Sequence, residues 1–254
     1  MVELDEFDAS HRSATRQHLG LAPDVPVIGW VGRLDSKKRV EDFIQAAALV
    51  HRQRPEARFL VIGGPDAFMP DYADTLRNLA HTLGLNDGLH FLGDRKDIPQ
   101  LLSALDIFVW LSRGEGMPHV IAEAGAASLP VIATPDNGAL QQIEDGSSGL
   151  FVPHETPQAV AEAMLRLLDD PALRTKLGAA LRRTVETQYA VPVVVPQWQA
   201  LFDAVLAEHP PAPAPSIFKS YFQGGFECST HRLRHGKRLD IIASSQHDRF
   251  AQDD

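Results

Sequence analysis

The chain has 254 residues, of which 44% are hydrophobic and 22% charged, a composition that predicts a packed core and excludes wholesale disorder. Its net charge of −9 argues against a general nucleic-acid binder, and its single cysteine, Cys228, excludes an intrachain disulfide and a four-cysteine zinc site. No stretch reaches the roughly 20 apolar residues that cross a bilayer, and the acidic N-terminus lacks the apolar core of a signal peptide. We therefore expect a cytoplasmic protein.

Short apolar runs alternate with helical patterns along most of the chain. The runs predict strands at 27–31, 59–62, 89–92, 107–110, 131–133 and 149–152. The periodic stretches predict helices at 40–52, 71–83, 97–104, 118–127, 156–168, 171–188 and 194–207. Because buried strands that alternate with helices form parallel sheets covered on both faces, we predict a three-layer α/β/α sandwich with about six strands. Ligands of such sheets bind at the carboxyl ends of the strands.

The composition changes after residue 208. Residues 209–216, HPPAPAPS, are rich in proline, which predicts a semi-rigid linker between residues 1–208 and the remainder of the chain. Residues 217–254 are too short and too polar to form a core of their own. We expect this tail to be disordered or to be the start of another domain.

The first candidate site directly follows the first predicted strand. Gly32 allows a close backbone approach, and Arg33 and Lys38 place a guanidinium and an ammonium group near one strand end. The two cations can converge on one diphosphate, because arginine offers bidentate contacts and lysine a mobile point charge. The alternative is a solvated basic turn that precedes the next helix.

The second candidate site lies between the fourth predicted strand and the helix that follows it. Pro118 suits the first turn of a helix, so the amides of Gly116 and Met117 would point out of its N-terminus, where anions and sugar oxygens are favoured. Glu115 precedes the helix and Glu123 lies just over two turns into it. Both carboxylates can therefore face one cleft and accept hydrogen bonds from separate hydroxyl groups.

Two other interpretations of these glutamates stay open. Ser112 and Glu115 have the spacing of a capping box, which would leave Glu123 as an exposed helix residue. Alternatively, Glu115 and Glu123 are the acid and the nucleophile of a glycoside hydrolase, although hydrolase carboxylates usually come from different strand ends.

Weaker signals occur at three further points of the chain. Gly93 and Arg95 follow the third predicted strand and could line a base pocket, or the loop could simply be polar with Asp97 as a helix N-cap. The segment 134–138, TPDNG, is mainly a turn signal. His119 could touch a ligand, although a structural role is the more common one for a lone histidine. No group of His, Cys and Asp residues has the spacing of a metal site.

Five motifs stand in order along the chain: GRLxxxK at 32–38, FLG at 91–93, SxxEGxPxxxxEA at 112–124, LPVIAT at 129–134 and DGxxGLFVP at 145–153. Together they resemble the C-terminal half of a GT-B retaining glycosyltransferase of family 4, the glycosyl transferases group 1. The pair Glu115 and Glu123 is the most diagnostic feature of the resemblance, which covers roughly residues 2–207. It implies a Rossmann-like domain that binds a nucleotide-sugar donor.

The resemblance also implies a role for each candidate residue. Arg33, Lys38 and Glu115 would be catalytic: the two cations would grip the donor diphosphate and stabilise the departing nucleotide, while Glu115 would contact the donor sugar. Glu123 would bind the ribose, and the loop from Gly93 to Arg95 would contact the base. The whole implied donor-binding set is Gly32, Arg33, Lys38, Gly93, Arg95, Glu115, Gly116, Met117, Pro118 and Glu123. No metal or other cofactor is expected, because arginine and lysine would supply the charge of a divalent ion.

The chain departs from the family pattern in several places. Arg39 stands where the family usually has glycine, Asn137-Gly138 replaces a Gly-Gly turn, and Gln141 stands where glutamate is common. A complete enzyme of this type also has an N-terminal domain with the acceptor site, so we expect this chain to transfer sugar poorly or not at all by itself. The tail at 224–232 resembles the opening strand of a glycosidase-like domain.

The resemblance leaves partners and rival functions open. We expect a nucleotide-sugar donor, a glycan or lipid-linked glycan acceptor of unknown identity and no nucleic acid, with attachment to the inner face of the membrane as a further option. An absent N-terminal domain would expose apolar surface on the helix at 194–207, which predicts a homodimer or association with a separate N-terminal half. The rival functions are a non-catalytic nucleotide-sugar binding module and a sugar-nucleotide epimerase, although no acid and base groups for an epimerase are evident.

Overall fold

Six parallel strands form one sheet in the computed structural model of the chain, which describes residues 1–209. The strands are β1 (Val27–Val31), β2 (Arg58–Ile62), β3 (Leu89–Gly93), β4 (Ile107–Trp110), β5 (Val131–Ala133) and β6 (Leu150–Phe151). Their order across the sheet is β3-β2-β1-β4-β5-β6, and all neighbouring strands are parallel. The predicted parallel sheet is therefore confirmed.

Helices cover both faces of this sheet. They are α1 (His11–His18), α2 (Val40–His51), α3 (Tyr72–Thr82), α4 (Ile98–Ser103), α5 (His119–Ala126), α6 (Asn137–Leu140), α7 (Pro157–Asp169), α8 (Pro171–Gln188) and α9 (Val191–Glu208). The buried apolar residues of α2, α3 and α7 belong to the hydrophobic cluster on one face, and Leu101 of α4, Ile121 of α5 and Ala139 of α6 belong to the cluster on the other. A third, small cluster joins Ala122 and Ala126 of α5 to Val2 and Val185. The three layers agree with the predicted sandwich.

The clusters on the two faces of the sheet explain why the strand sequences are continuously apolar. Ile28 and Trp30 of β1 enter one cluster, whereas Val27 enters the other. Phe59 and Leu60 of β2 divide between the clusters in the same way. Successive side chains of a strand point to opposite faces, so a sheet that is covered on both faces needs apolar residues at every position.

Helix α1 was not predicted, because it is attached through arginines rather than through an apolar stripe. The buried Arg16 donates from Nη2 to Asp106 Oδ2 at 2.8 Å and from Nε to the carbonyl of Ala104 at 3.0 Å. Arg12 donates to Asp106 Oδ1 at 2.5 Å and to the carbonyl of Leu105 at 2.6 Å. A polar sequence such as HRSATRQH carries no hydrophobic periodicity from which this helix could be recognised.

Two further helices differ from the prediction. The segment 134–138 is predicted mainly as a turn, but only 134–136 lie outside helices, and Asn137 and Gly138 belong to the four-residue helix α6, which is too short for a periodic signal. Helix α9 begins at Val191, three residues before the predicted start, with Pro192 in its first turn. No residue of α9 is buried, and Trp198, Leu201 and Phe202 each expose half or more of their surface.

The described residues end shortly after α9. Contacts between residues divide the chain into one unit at Met1–Ala204 and a second at Val205–Asp254. The predicted linker beyond His209 and the predicted tail at 217–254 lie outside the described residues. Among residues 1–209, no helix combines the length and the apolar character that crossing a bilayer requires.

Candidate functional site

The turns that follow β1, β2 and β3 are joined at the carboxyl edge of the sheet. The amide of Gly32 donates to the carbonyl of Ile62 at 3.0 Å, and the amide of Gly63 donates to the carbonyl of Gly93 at 2.9 Å. Gly63 has a φ of +140°, and a Cβ atom there would lie 1.8 Å from the carbonyl oxygen of Gly32. Only glycine fits this approach. Gly32 and Gly93, two predicted site glycines, are therefore held at the same edge of the sheet by hydrogen bonds to Ile62 and Gly63.

Arg33 projects from this edge and is fixed on one side only. Its Nη1 lies 2.9 Å from Oδ2 of Asp66, a buried carboxylate in the turn after β2. The side chain of Arg33 is nevertheless 70% exposed, so much of its guanidinium group is open to solvent. Oδ1 of Asp66 accepts a hydrogen bond from the amide of Phe68 at 2.9 Å, which holds the carboxylate in place. Sequence reasoning missed Asp66, for which a carboxylate just after a strand was the only signal.

Lys38 and Glu115 form an ion pair across the same edge. Lys38 ends a short 3-10 turn, Ser36–Lys38, that is capped by Asp35, whose carboxylate accepts from the amide of Lys37 at 2.8 Å. Lys38 Nζ lies 2.6 Å from Oε1 of Glu115, and both side chains are partly buried. Two of the predicted catalytic residues, 77 positions apart in the chain, are thus in direct contact.

Contacts from two strand ends hold Glu115 in place. The hydroxyl of the buried Ser112 lies 3.2 Å from Oε1 of Glu115, and the amide of Glu115 donates to Oδ2 of Asp136 at 2.9 Å. The capping-box interpretation is wrong, because α5 begins only at His119 and has no side-chain cap. Asp136 lies in the segment 134–138, which the sequence indicates mainly as a turn and only weakly as a site, so it was not in the predicted set.

The loop at Gly116–Pro118 rests on helix α6. A Cβ atom on Gly138 would lie 2.4 Å from Cδ of Pro118 and 2.5 Å from the carbonyl oxygen of Gly116, so a larger residue would displace the loop. The buried Gln142 donates from Nε2 to the carbonyl of Pro118 at 3.1 Å. Within the described part of the chain, the amides of Gly116 and Met117 donate to no protein acceptor. Two donors are therefore open beside Glu115.

Glu123 lies in α5, and its side chain is half-buried. Burial raises the pKa of its carboxyl group, while the positive charges of His119 and of the N-terminal amine act in the opposite direction. The interpretation of Glu123 as an exposed helix residue is therefore wrong. Such a half-buried carboxylate gains most from a ligand that donates hydrogen bonds to it.

The loop after β3 holds its arginine in an internal ion pair. Arg95 donates from Nε to Oδ1 of Asp97 at 2.8 Å and from Nη2 to Oδ2 at 2.5 Å, and this pairing lowers the pKa of the Asp97 carboxyl group. Asp97 is the N-cap residue of α4, as the alternative interpretation predicts, but its side chain makes no capping hydrogen bond because it pairs with Arg95. The neighbouring Asp94 instead accepts from the amide of Gly64 at 2.9 Å. The role of Gly93 and Arg95 in base binding stays a prediction.

Other potential sites in residues 1–209 do not match the predicted residues. A cavity of about 310 Å³ lies near the amino ends of the strands, lined by Arg12, Asp106 and Arg174 among others. These charged groups are already hydrogen-bonded to one another or to backbone carbonyls. No group of three or more His, Cys, Asp or Glu side chains in this range is arranged to hold a metal ion. The expected independence of metal stays a prediction.

The order of motifs and the fold agree with a family comparison. The glycosyl transferases group 1 family matches residues 11–184, more than half of the chain. The chain belongs to this family. Among the group 1 relatives, the GDP-mannose-dependent monoacylated alpha-(1-6)-phosphatidylinositol monomannoside mannosyltransferase of Corynebacterium glutamicum is 35% identical over 188 residues, which cover 70% of this chain and 47% of that protein.

Solved structures have the same fold. Anabaena Alr3699/HepE in complex with UDP and glucose shares 26% sequence identity at a TM-score of 0.75, over 80% of this chain and 55% of that one. The C-terminal domain of the glycosyl transferase group 1 family protein LpcC from Francisella tularensis shares 29% identity at a TM-score of 0.69, over 75% of this chain and 100% of that one. The predicted Rossmann-like half of a GT-B fold is thereby confirmed. The chain spans about half the length of the curated relatives it matches.

Proposed function

We propose that this group 1 chain supplies the nucleotide-sugar donor site of a retaining glycosyltransferase of family 4, as the C-terminal, donor-binding half of the enzyme. The observation that carries the proposal is the contact between Lys38 and Glu115 beside the open amides of Gly116 and Met117. At this edge of the sheet, the ammonium group can bind a phosphate and the carboxylate can accept from sugar hydroxyl groups. The two free amides can donate to further oxygen atoms of a sugar diphosphate.

The charges of this edge fit the departure of a nucleoside diphosphate. In the proposed reaction the bond between the sugar carbon and the distal phosphate oxygen breaks, and the same carbon bonds to a hydroxyl oxygen of the acceptor, whose proton passes to the departing diphosphate. Arg33 and Lys38 would stabilise the negative charge that develops on the phosphate oxygen. Glu115 would release Lys38 to the phosphate and accept hydrogen bonds from sugar hydroxyl groups. Pre-positioned cations would then replace a divalent ion, so we propose a reaction without metal or other cofactor.

The remaining residues would orient the donor. Glu123 would accept hydrogen bonds from the ribose hydroxyls, which stabilise the ionised form of its half-buried carboxyl group. Gly32 and Pro118 would shape the backbone around the phosphates, and Gly93 and Arg95 would line the base. We propose that the sugar keeps its anomeric configuration, because the resemblance is to a retaining family.

Two of the three similar proteins named above differ in the nucleotide of their ligand. The Corynebacterium protein is described as dependent on GDP-mannose, and the Anabaena structure holds UDP and glucose. We propose that this chain takes one such nucleotide sugar, with the nucleobase to be found by titration. The acceptor, a glycan or lipid-linked glycan, would bind mainly to a separate N-terminal half.

Several cellular consequences follow from the proposal. The isolated chain would transfer sugar weakly or not at all, and it would associate with an N-terminal half or with a second copy. A cytoplasmic location, with attachment to the inner face of the membrane where the acceptor is lipid-linked, would fit a donor made in the cytoplasm. The tail at 217–254 would be the start of a glycosidase-like domain.

Calorimetric titration of the full chain with UDP, GDP, ADP and their sugar conjugates tests the proposal. We expect one nucleotide to bind, and we expect Arg33→Ala and Glu123→Ala each to weaken it by about tenfold or more, because each removes a charge-assisted hydrogen bond. Arg54→Ala is the matched control, since Arg54 pairs with Asp169 on the other side of the fold, before β2. A folded chain that binds none of these nucleotides contradicts the proposal.

The main alternative is a nucleotide-sugar binding module without catalysis. A transfer assay with a separately supplied N-terminal half distinguishes the two. The pairing of Glu115 with Lys38 rather than with Glu123 supports transfer over the hydrolase interpretation. An epimerase would need acid and base groups beyond those at this edge.

A further inference from the structure

Two residues beside the candidate donor site have an unusual backbone conformation. Arg39 and Glu155 both have a φ of +53°, in the left-handed region that residues with a Cβ atom seldom adopt. Arg39 directly follows Lys38, and Glu155 lies in the loop between β6 and α7. Residues held in this region cost free energy, and they persist where surrounding contacts determine the conformation. The contacts of these two residues show what holds them.

The guanidinium group of Arg39 is tied to the start of α2. It donates from Nε to Oδ2 of Asp42 at 2.8 Å and from Nη2 to Oδ1 of the same carboxylate at 2.9 Å. Its Nη1 lies 2.7 Å from Oε1 of Glu41, and the hydroxyl of Tyr72 donates to the other oxygen of Glu41. The bidentate pair with the buried Asp42 fixes the orientation of Arg39.

Glu155 connects this arginine to the loop after β4. The Glu155 carboxylate accepts from Nη2 of Arg113, and the same oxygen lies 4.0 Å from Nη1 of Arg39. The amide of Arg113 in turn donates to the carbonyl of Lys37 at 2.9 Å. Arg39, Arg113 and Glu155, here called the clasp, therefore form a closed circuit around the turn that carries Lys38.

We propose that Arg39 and Glu155 are positioning residues that hold the Lys38 turn in the geometry needed to grip a nucleoside diphosphate. The inference rests on the proposed function, because it concerns the same site. Without the clasp, the turn Ser36–Lys38 keeps its Asp35 cap, the bond from the Arg113 amide and the backbone bonds of α2 to the Arg39 carbonyl, but it loses the side-chain bonds to Asp42 and Glu41 and the ion pair with the loop after β6. Lys38 would then sample more positions, and its contact with a phosphate would weaken.

The charge of Arg39 cannot explain such an effect directly. Asp42, Glu41 and Glu155 surround its guanidinium group with more negative than positive charge. Arg39 therefore has little net attraction left for a phosphate, and the clasp acts through the geometry of Lys38. This separates the clasp from a simple basic patch, for which the salt dependence of nucleotide binding would change when the arginine is removed.

The test uses the full chain with Arg39→Gly and Glu155→Gln, and with Arg54→Gln as the matched control for an ion pair between elements. Glycine adopts the left-handed conformation readily, so Arg39→Gly removes the side chain while keeping the turn. Glu155→Gln leaves the sequence of the turn unchanged. Amide hydrogen exchange of residues 34–42 is measured without ligand, and calorimetry gives affinities for UDP, GDP, UMP and GMP at two salt concentrations.

We expect both clasp variants to speed exchange at residues 36–39 and to weaken the diphosphate that binds by about two- to fivefold, the range of one partly exposed ion pair. The matching monophosphate should change by less than about twofold, with an unchanged salt dependence. Arg54→Gln should change neither readout. Unchanged exchange, an unchanged affinity for the diphosphate, or equal losses for the diphosphate and the monophosphate would each overturn the proposal.

The wild-type chain distinguishes a failure of the proposed function from a failure of the clasp. If wild type binds no nucleotide, the proposed function is refuted, and the donor-gripping role of the clasp is refuted with it. If wild type binds a nucleotide and both clasp variants bind it equally tightly, only the role of the clasp is refuted.

Discussion

At the scale of single residues, the main feature of the site is that its charges are already paired. Lys38 is neutralised by Glu115, and Arg33 is held on one side by Asp66. A donor must therefore exchange an internal ion pair for its own contacts, which lowers its net affinity but fixes the cations in advance. The two variants below separate the phosphate part of the site from its sugar and ribose parts.

Glu115→Gln should separate phosphate binding from sugar binding. The neutral amide frees Lys38, so we expect UDP or GDP without a sugar to bind about two- to threefold more tightly, the usual worth of a partly exposed ion pair. The corresponding nucleotide sugar should gain less or bind more weakly, because the amide is a poorer acceptor for sugar hydroxyls. Parallel titrations measure both, and an equal gain for the two ligands would contradict a sugar contact of Glu115.

Glu123→Gln should stabilise the free chain while weakening the bound donor. Burial raises the pKa of Glu123 in the folded state, so its contribution to stability is fully present below the pKa of the unfolded chain and is lost as the pH rises through the folded value. Glutamine removes this loss, and we expect a melting temperature about 1–2 °C higher at pH 7, after allowance for the exposed part of the group.

The difference in melting temperature between Glu123→Gln and wild type should vanish in acid, because the wild-type carboxyl group is then protonated and as neutral as the glutamine amide. Thermal melts from pH 3.5 to 7.5 measure it, and Asp74→Asn, a carboxylate on the exposed surface of α3, is the control. A destabilised variant at pH 7 would show that Glu123 is stabilised as an anion before any donor binds. Nucleotide affinity of wild type should fall as the pH falls and Glu123 becomes protonated.

At the scale of elements, the site depends on short connections rather than on the large helices. The 3-10 turn at Ser36–Lys38 and the four-residue α6 each determine the position of a predicted site segment. Helix α1 is the opposite case, because it lies away from the site and is attached through Arg12 and Arg16 to Asp106. Polar attachment of this kind is sensitive to the loss of one partner.

Arg16→Leu should destabilise the chain through α1. The substitution removes a buried guanidinium group that satisfies Asp106 and four backbone carbonyls, so we expect a loss of about 3 kcal/mol in the free energy of unfolding. Urea denaturation measures it. The exposed Arg77→Leu, which removes an ion pair within α3, should cost less than about 0.5 kcal/mol. Equal losses for the two variants would mean that α1 contributes little to stability.

At the scale of the whole molecule, α9 is the one α-helix of residues 1–209 that has no buried residue. Trp198, Leu201 and Phe202 each expose half or more of their surface, and exposed apolar patches of this kind mark interaction sites. We expect the chain to self-associate at high concentration and Phe202→Asp to reduce the associated fraction, as measured by light scattering. Leu83→Asp, at an exposed position after α3, is the control. A monomeric wild-type chain at high concentration would contradict this expectation.

The parts that could be predicted from sequence are those with a strong local signal. Buried parallel strands and long amphipathic helices carry such a signal, and so do the glycines and charged residues that follow strands. The partners Asp66 and Asp136 could not be predicted, because their contacts with Arg33 and Glu115 depend on strand order. Helix α1 was missed because its buried face is a guanidinium group.

The ion pair between Lys38 and Glu115 has a consequence for the order of folding. Lys38 follows β1 and Glu115 follows β4, and Arg33 and Asp66 meet only when β1 and β2 are neighbours. The site is therefore absent until the central strands have paired over long sequence separations, which is the slow part of assembling a parallel sheet. In a refolding experiment, the capacity to bind nucleotide should return with the last kinetic phase, after most of the helical signal has already recovered.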